Sequence, residues 1–241
     1  MRTDLVGLFV LVTAAAAGLS LGKTSTAEPE RVPSSTIVAP PSTPPVVAAP
    51  RLARSLPSVV VAKPVFGQRV VMSQPGEYKV VEESTKGDRY FRATVRADQS
   101  FEDWTEMVSL VGGKGLAAKP DATPIAIAQA IANGFNAACP ATFVAKPLGG
   151  TKYGAFDAFL ALAGCGSIAG ETGPRSEASL IVTIRGQDDF YSIQWIERGP
   201  ASDKAPDLDD PKWLERYKRI GPIRLCPLEK AASVPGCQAH Q

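Results

Sequence analysis

Histidine is almost missing from this chain of 241 residues: the one copy is His240, next to the C-terminus. Without an internal histidine there is no Ser-His-Asp or Cys-His arrangement and no His-ligated zinc site. An excess of one charge is missing too. Lys+Arg 26 against Asp+Glu 24 gives 26 − 24 = +2, so nothing points to nucleic acid as a partner. Cysteine is sparse. Cys139, Cys165, Cys226 and Cys237 stand 26, 61 and 11 residues apart with no close pair, which argues against a four-cysteine zinc site. Gly149-Gly150-Thr151-Lys152 and Gly112-Gly113-Lys114-Gly115 lack the G-x-x-x-x-G-K-[ST] spacing and read as turns. Ser176-Glu177 offers a serine no base partner. No catalytic residue, cofactor site or metal site is expected. At 44% hydrophobic and 21% charged residues, the chain is neither disordered throughout nor a multi-span membrane protein.

What is present begins with an export pattern. Arg2 precedes the apolar run Leu5–Val12, and the small residues Ala14 to Gly18 follow. That is the layout of a secretory signal, with Ala15 and Ala17 framing a cleavage site. The uncharged stretch Leu5–Gly22 is 18 residues, the short edge of a spanning helix. Its second half is mostly Ala, Gly and Ser, which favours a cleaved signal over a retained anchor. Residues 1–27 are therefore a signal peptide or N-terminal anchor. The expected location is periplasmic or secreted, or inner-membrane anchored if cleavage fails. The membrane enters only through that anchor.

Residues 28–75 hold ten of the 21 prolines. Such a stretch cannot build a core and reads as a Pro-rich disordered linker. Within it, Val59-Val60-Val61 suits a short strand added to the domain.

Residues 76–230 carry folded patterning, and 231–241 form a C-terminal tail. Tyr78–Glu83 and Arg89–Arg96 flank the turn Thr85–Asp88 and read as a hairpin. Phe91, Ala93 and Val95 alternate with Tyr90, Arg92 and Arg96. Ser100 and Asp103 resemble a capping box, and Phe101, Trp104, Met107, Val108 and Val111 fit one helical face ending at Gly112-Gly113. Thr123-Pro124 opens a second helix with the stripe Ile127, Ala128, Ile131, Phe135. Strands Thr142–Lys146 and Tyr153–Ala163 flank a turn at Pro147–Gly150. Strands Ser179–Arg185 and Phe190–Arg198 flank Gly186–Asp189. Asp210-Pro211 opens a last helix ending before Gly221-Pro222. The expected fold is α+β, an antiparallel sheet packed with about three helices in the order ββααββββα.

That order, with Phe101-Glu102-Asp103-Trp104 and Tyr191-Ser192-Ile193-Gln194-Trp195, resembles the PsbP-like group of small envelope and lumenal domains. The resemblance covers Tyr78 to Leu228. It implies helices packed on an antiparallel sheet and a non-enzymatic assembly or accessory role.

The carboxylate clusters are Glu82-Glu83, Asp188-Asp189 and Asp207–Asp210. A glycosidase needs two carboxylates flanking a cleft. A hairpin turn and a helix cap explain the aspartates more simply. Trp104, Trp195 and Trp213 read as core. Tyr90, Arg92 and Arg96 on one strand, with Arg216 and Arg219 on the last helix, are the candidate basic binding surface. The functional expectation is a non-enzymatic exported module on a spacer, binding an envelope protein or cell-wall component. A carboxylate-based hydrolase of cell-wall or sugar polymers and a small-ligand carrier are the alternatives.

Cys139 lies before one strand of a hairpin and Cys165 after its partner, so their bridge leaves Cys226 for Cys237. A Cys139–Cys226 link is the rival pairing. An exported chain with four cysteines should hold no free thiol. Alkylation of the unreduced protein, read by mass spectrometry, is expected to leave all four unlabelled.

Overall fold

The computed structural model describes residues 57–170, 173–228 and Cys237. The expected signal or anchor 1–27, residues 28–56 of the expected linker and all of the 231–241 tail except Cys237 lie outside the described residues. In chain order the elements are β1 (Ser58–Val65), β2 (Gln68–Pro75), β3 (Tyr78–Lys86), β4 (Arg89–Arg96), β5 (Glu106–Gly113), α1 (Pro124–Ala138), β6 (Phe143–Tyr153), β7 (Phe156–Ile168), β8 (Arg175–Arg185), β9 (Phe190–Pro200), α2 (Lys212–Ile220) and β10 (Arg224–Pro227). Every pairing is antiparallel. A seven-stranded sheet has the order β3-β4-β5-β9-β8-β7-β6, and a three-stranded sheet has the order β1-β2-β10.

The expected order ββααββββα with about three helices is corrected: the described residues are mostly antiparallel strand in two sheets, with two α-helices. The segment expected to be the first helix is strand β5. It lies between β4 and β9 and is buried on both faces from Met107 to Gly113. A strand covered on both sides is apolar at consecutive positions, so it loses the period of two that marks a half-buried strand. The glycine pair read as a helix stop answers a packing demand. A Cβ at Gly112 would lie 2.5 Å from Val65 and 3.2 Å from Phe66 at the β1–β2 turn. Pro147–Gly150, expected to be a hairpin turn, lies inside β6 as a bulge between Pro147 and Gly149. The chain reverses instead at Gly154, whose φ is 65°.

Residues 58–75, inside the span read as linker, form β1 and β2, so the folded unit starts before Tyr78. Proline does not prevent this, because each one sits where the ladder needs no donor. Gly76 N–H donates to the Pro57 carbonyl, which marks residues 57, 59, 61, 63 and 65 as the hydrogen-bonded positions. Pro64 and Pro75 then fall at the alternate, unbonded positions.

The large sheet is covered on both faces. On one, Leu180, Val182, Ile184, Tyr191, Ile193 and Trp195 pack with Val65, Val70 and Met72 of the small sheet and with Trp213 and Ile220 of α2. On the other, Ala161, Ile181 and Phe190 pack against Ile127, Ala128 and Ile131 of α1. Thr123 caps α1 by accepting from the Ala126 N–H at 3.2 Å, as the Thr123-Pro124 signal implied. Cys139–Cys165 ties the end of α1 to β7, and Cys226 of β10 is bridged to Cys237. The Cα separations, 5.8 and 5.7 Å, fit disulfide geometry.

Met72 separates a core strand from a linker. It is 1% exposed in the main core. Met72→Ala should lower stability by about 2–5 kcal/mol in denaturant titration with the disulfides intact. An unchanged midpoint would place residues 68–75 outside the folded unit.

Candidate functional site

The five residues expected to form a basic surface fall into two groups, each neutralised locally. Tyr90 and Arg92 lie on the face of β4 that meets the small sheet, and both are buried. Their hub is Glu83 of β3. Its carboxylate accepts from the Tyr90 hydroxyl at 2.9 Å, pairs with Lys63 Nζ of β1 at 2.7 Å and lies 3.5 Å from Arg92 Nε. Arg92 also donates to Gln74 of β2 at 3.2 Å. These groups fasten the two sheets together. Arg96, at the end of the same strand, is exposed and lies 3.5 Å from Asp98.

Arg216 and Arg219 project from α2 onto Trp195, with their guanidinium carbons 4.8 and 5.5 Å from its ring centre. Sequence spacing had given no sign of the carboxylates that meet them. Glu106 of β5 and Glu197 of β9 are cross-strand partners. Two like charges directly opposite repel. Arg216 bridges them, donating to Glu197 at 2.8 Å and to Glu106 at 2.7 Å. Lys212 pairs with Glu197 at 2.8 Å, and Arg219 with Glu77 at 3.1 Å. Tyr78 donates its hydroxyl to Glu106 and stacks at a tilt on Trp195, 5.8 Å between centroids. Burial opposes the charge on Arg216, but the Glu197 and Glu106 carboxylates outweigh it and raise its pKa. Burial, and the bond to Glu106, push the Tyr78 hydroxyl far above its ordinary value. Three cations of α2 thus meet three carboxylates. The arrangement can clamp a helix to a sheet, and it leaves little net charge to attract an anion.

The carboxylate clusters have similar employment. Asp189 is 3% exposed. One of its oxygens accepts from Gly67 N–H at 2.9 Å and the other from Gly115 N–H at 2.8 Å. It joins the β1–β2 turn and the loop after β5 to the β8–β9 turn. In the Asp207–Asp210 run, Asp207 accepts from Asp209 N–H at 2.8 Å, Asp209 pairs with Lys146, and Asp210 accepts from Lys212 N–H at 2.9 Å at the start of α2.

An open pocket of about 480 Å³ lies between the start of α1 and the β6–β7 hairpin. Pro124, Ile125 and Phe159 give it apolar walls, and the Lys152–Asp157 pair, 2.6 Å apart, stands at its rim. The pocket is open to solvent rather than enclosed. Among the described residues no group of three or more His, Cys, Asp or Glu side chains is placed to hold a metal ion. No described helix is long and apolar enough to cross a membrane. Trp104, Trp195 and Trp213, read as core, are 3%, 0% and 4% exposed.

No protein-family model matches the chain. No curated protein matches it. Among solved structures it is similar to LpqN of Mycobacterium tuberculosis, described as involved in cell envelope biogenesis. That match has 16% identity, covers 70% of this chain and 91% of LpqN, and has a TM-score of 0.35. It is also similar to the Saccharomyces cerevisiae Ran-binding protein Mog1p, at 10% identity over 67% of this chain and 93% of that one, TM-score 0.38. A Mog1 point mutant gives the same identity and coverage and a TM-score of 0.39. Likeness at this level carries no argument about this chain's role.

Glu83 gives a pH test. Burial alone would raise its pKa, but the bonds from Lys63 and Tyr90 and the nearby charges of Lys63 and Arg92 outweigh that and hold it below the ordinary 4.5. A carboxyl depressed by folding stabilises the fold above its unfolded pKa, and the contribution disappears as pH falls through the folded value. Glu83→Gln should therefore melt below the parent at neutral pH. The gap should narrow as pH drops below about 4.5, measured by thermal denaturation across pH.

Proposed function

We propose that the chain is an exported, non-enzymatic binding module of the cell envelope, carried on the Pro-rich segment before Ser58. The observation that carries this reading is the pair of disulfides, Cys139–Cys165 and Cys226–Cys237. Such bridges persist in oxidising compartments outside the cytosol, and they follow an N-terminus patterned as a secretory signal. The groups that chemistry would use, Asp189, Glu106, Glu197 and Arg92, are engaged in bonds that hold elements together.

One observation favours the hydrolase reading: Glu106 and Glu197 face each other on adjacent strands. Arg216 donates to both, so each carboxylate is engaged in holding α2 to the sheet. That places the hydrolase second.

The test is expression with and without residues 1–27 in a Gram-negative host, followed by fractionation, thiol labelling and cross-linking in intact cells. The full chain is expected in the periplasmic fraction, oxidised and cross-linked to an envelope component. The shortened chain is expected in the cytoplasm with labelled thiols. A full chain that stays cytoplasmic and reduced would overturn the reading. Cell-wall cleavage lost in Glu106→Gln would replace it with the hydrolase.

A further inference from the structure

Four strand edges stand at the margins of the two sheets, and three of them are blunted. Edge strand β6 carries Lys146, Pro147, Lys152 and the Pro147/Gly149 bulge. Edge strand β3 carries Lys79, Glu82, Lys86 and a bulge between Val80 and Glu82. Strand β10 is four residues long and ends in Pro227. Charges, prolines, bulges and shortness are the features that stop one sheet edge from pairing with another. From Ser58 to Ala62, β1 has none of them. Val59 and Val60 are 44% and 51% exposed. The first charge, Lys63, is paired with Glu83. Among the described residues no strand pairs with the outer side of β1.

The register decides which backbone groups face outward. Residues 57, 59, 61, 63 and 65 bond to β2, so the N–H and C=O groups of Ser58, Val60 and Ala62 point away from it. Pro64 follows as the next outward position and has no N–H to offer.

We propose that β1 is a self-pairing edge through which two copies of the chain join antiparallel about a twofold axis at Val60. In that register Ser58 lies opposite Ala62 of the second copy, and Val60 lies opposite its own equivalent. Each outward donor then meets an outward carbonyl, and each facing pair exchanges two hydrogen bonds. Pro57 and Pro64 fall outside the bonded positions. A twofold contact sets the same patch on both sides, so a charge at the axis would meet its own copy. Ser55 to Ala62 contains no charge, and Lys63 is already neutralised. The chain's own preceding segment fits the edge less well, since Pro40, Pro41, Pro44, Pro45 and Pro50 each lack a donor. The proposal does not depend on the export reading.

The experiment is sedimentation of the purified full chain across a wide concentration range, with hydrogen exchange of the β1 amides. The parent is expected to dimerise as concentration rises, with the amides of Ser58, Val60 and Ala62 gaining protection in step. Val60→Pro removes an outward donor and no bond to β2, so it should weaken dimerisation at least tenfold. Val60→Lys sets two like charges against each other at the axis and should do the same; it serves if the proline variant fails a melting check. Three results would overturn the proposal: a parent that is monomeric throughout, a dimer that persists in both variants, or β1 protection independent of concentration, which would mean the chain covers its own edge. Dimer-free parent protein whose β1 amides become protected only on adding an envelope extract would also overturn it, assigning the edge to a foreign strand.

Discussion

Burial of both faces of β5, β9 and β8 is the constraint on which the other elements depend. Trp195, Tyr191, Ile193, Leu180 and Val182 on one face, and Ile181 and Phe190 on the other, are fully buried. One helix cannot cover both sides of a seven-stranded sheet. The chain solves this with α1 on one face and with α2 and a second small sheet on the other. Strands β1 and β2 are therefore part of the core. Val70 and Met72 supply apolar surface that the large sheet would otherwise expose.

The carboxylates drawn into this core act as bonded fasteners. Glu83 joins β1, β3 and β4, and Asp189 joins three loops. Glu177 is 2% exposed, and it accepts from Arg175 at 2.9 Å and Arg198 at 2.8 Å. Arg198 in turn lies 3.5 Å over the Trp104 ring. Buried ion pairs add little net stability, but removing one partner leaves the other desolvated and unpaired. Their contribution is positional: each fixes which strand sits beside which. The same logic explains why the expected basic surface is muted. A cation drawn half into a core needs a carboxylate beside it, and Arg92, Arg216 and Arg219 each have one.

Proline acts in this protein as an edge marker as well as a breaker. Pro64, Pro75 and Pro147 lie in strands at positions that need no donor or at a bulge. Counting prolines therefore suggests a linker through residue 75, whereas strand register allows two strands from Ser58 onward. Proline density reports lost donors, and a ladder tolerates their loss at every second position on an edge.

Features decided by neighbours a few residues apart could be read directly from the sequence. The β3–β4 and β8–β9 hairpins follow from alternation and turn residues. The start of α1 follows from Thr123-Pro124, whereas α2 begins one residue later than Asp210-Pro211 implies, at Lys212 with Pro211 as its cap. Placing Cys139 and Cys165 at the ends of one hairpin favours their bridge but leaves Cys139–Cys226 as a rival, and the structure decides for Cys139–Cys165 and Cys226–Cys237. Tertiary structure decided the rest. β5 became a strand because it is covered on both faces, which removed its alternation. Gly67 meets Asp189 across 122 residues, and Arg216 meets Glu106 across 110. Local periodicity is set by covalent neighbours, but a carboxylate's partner is set by strand order and register. Those depend on the burial of the whole sheet, which no local window of this sequence contains.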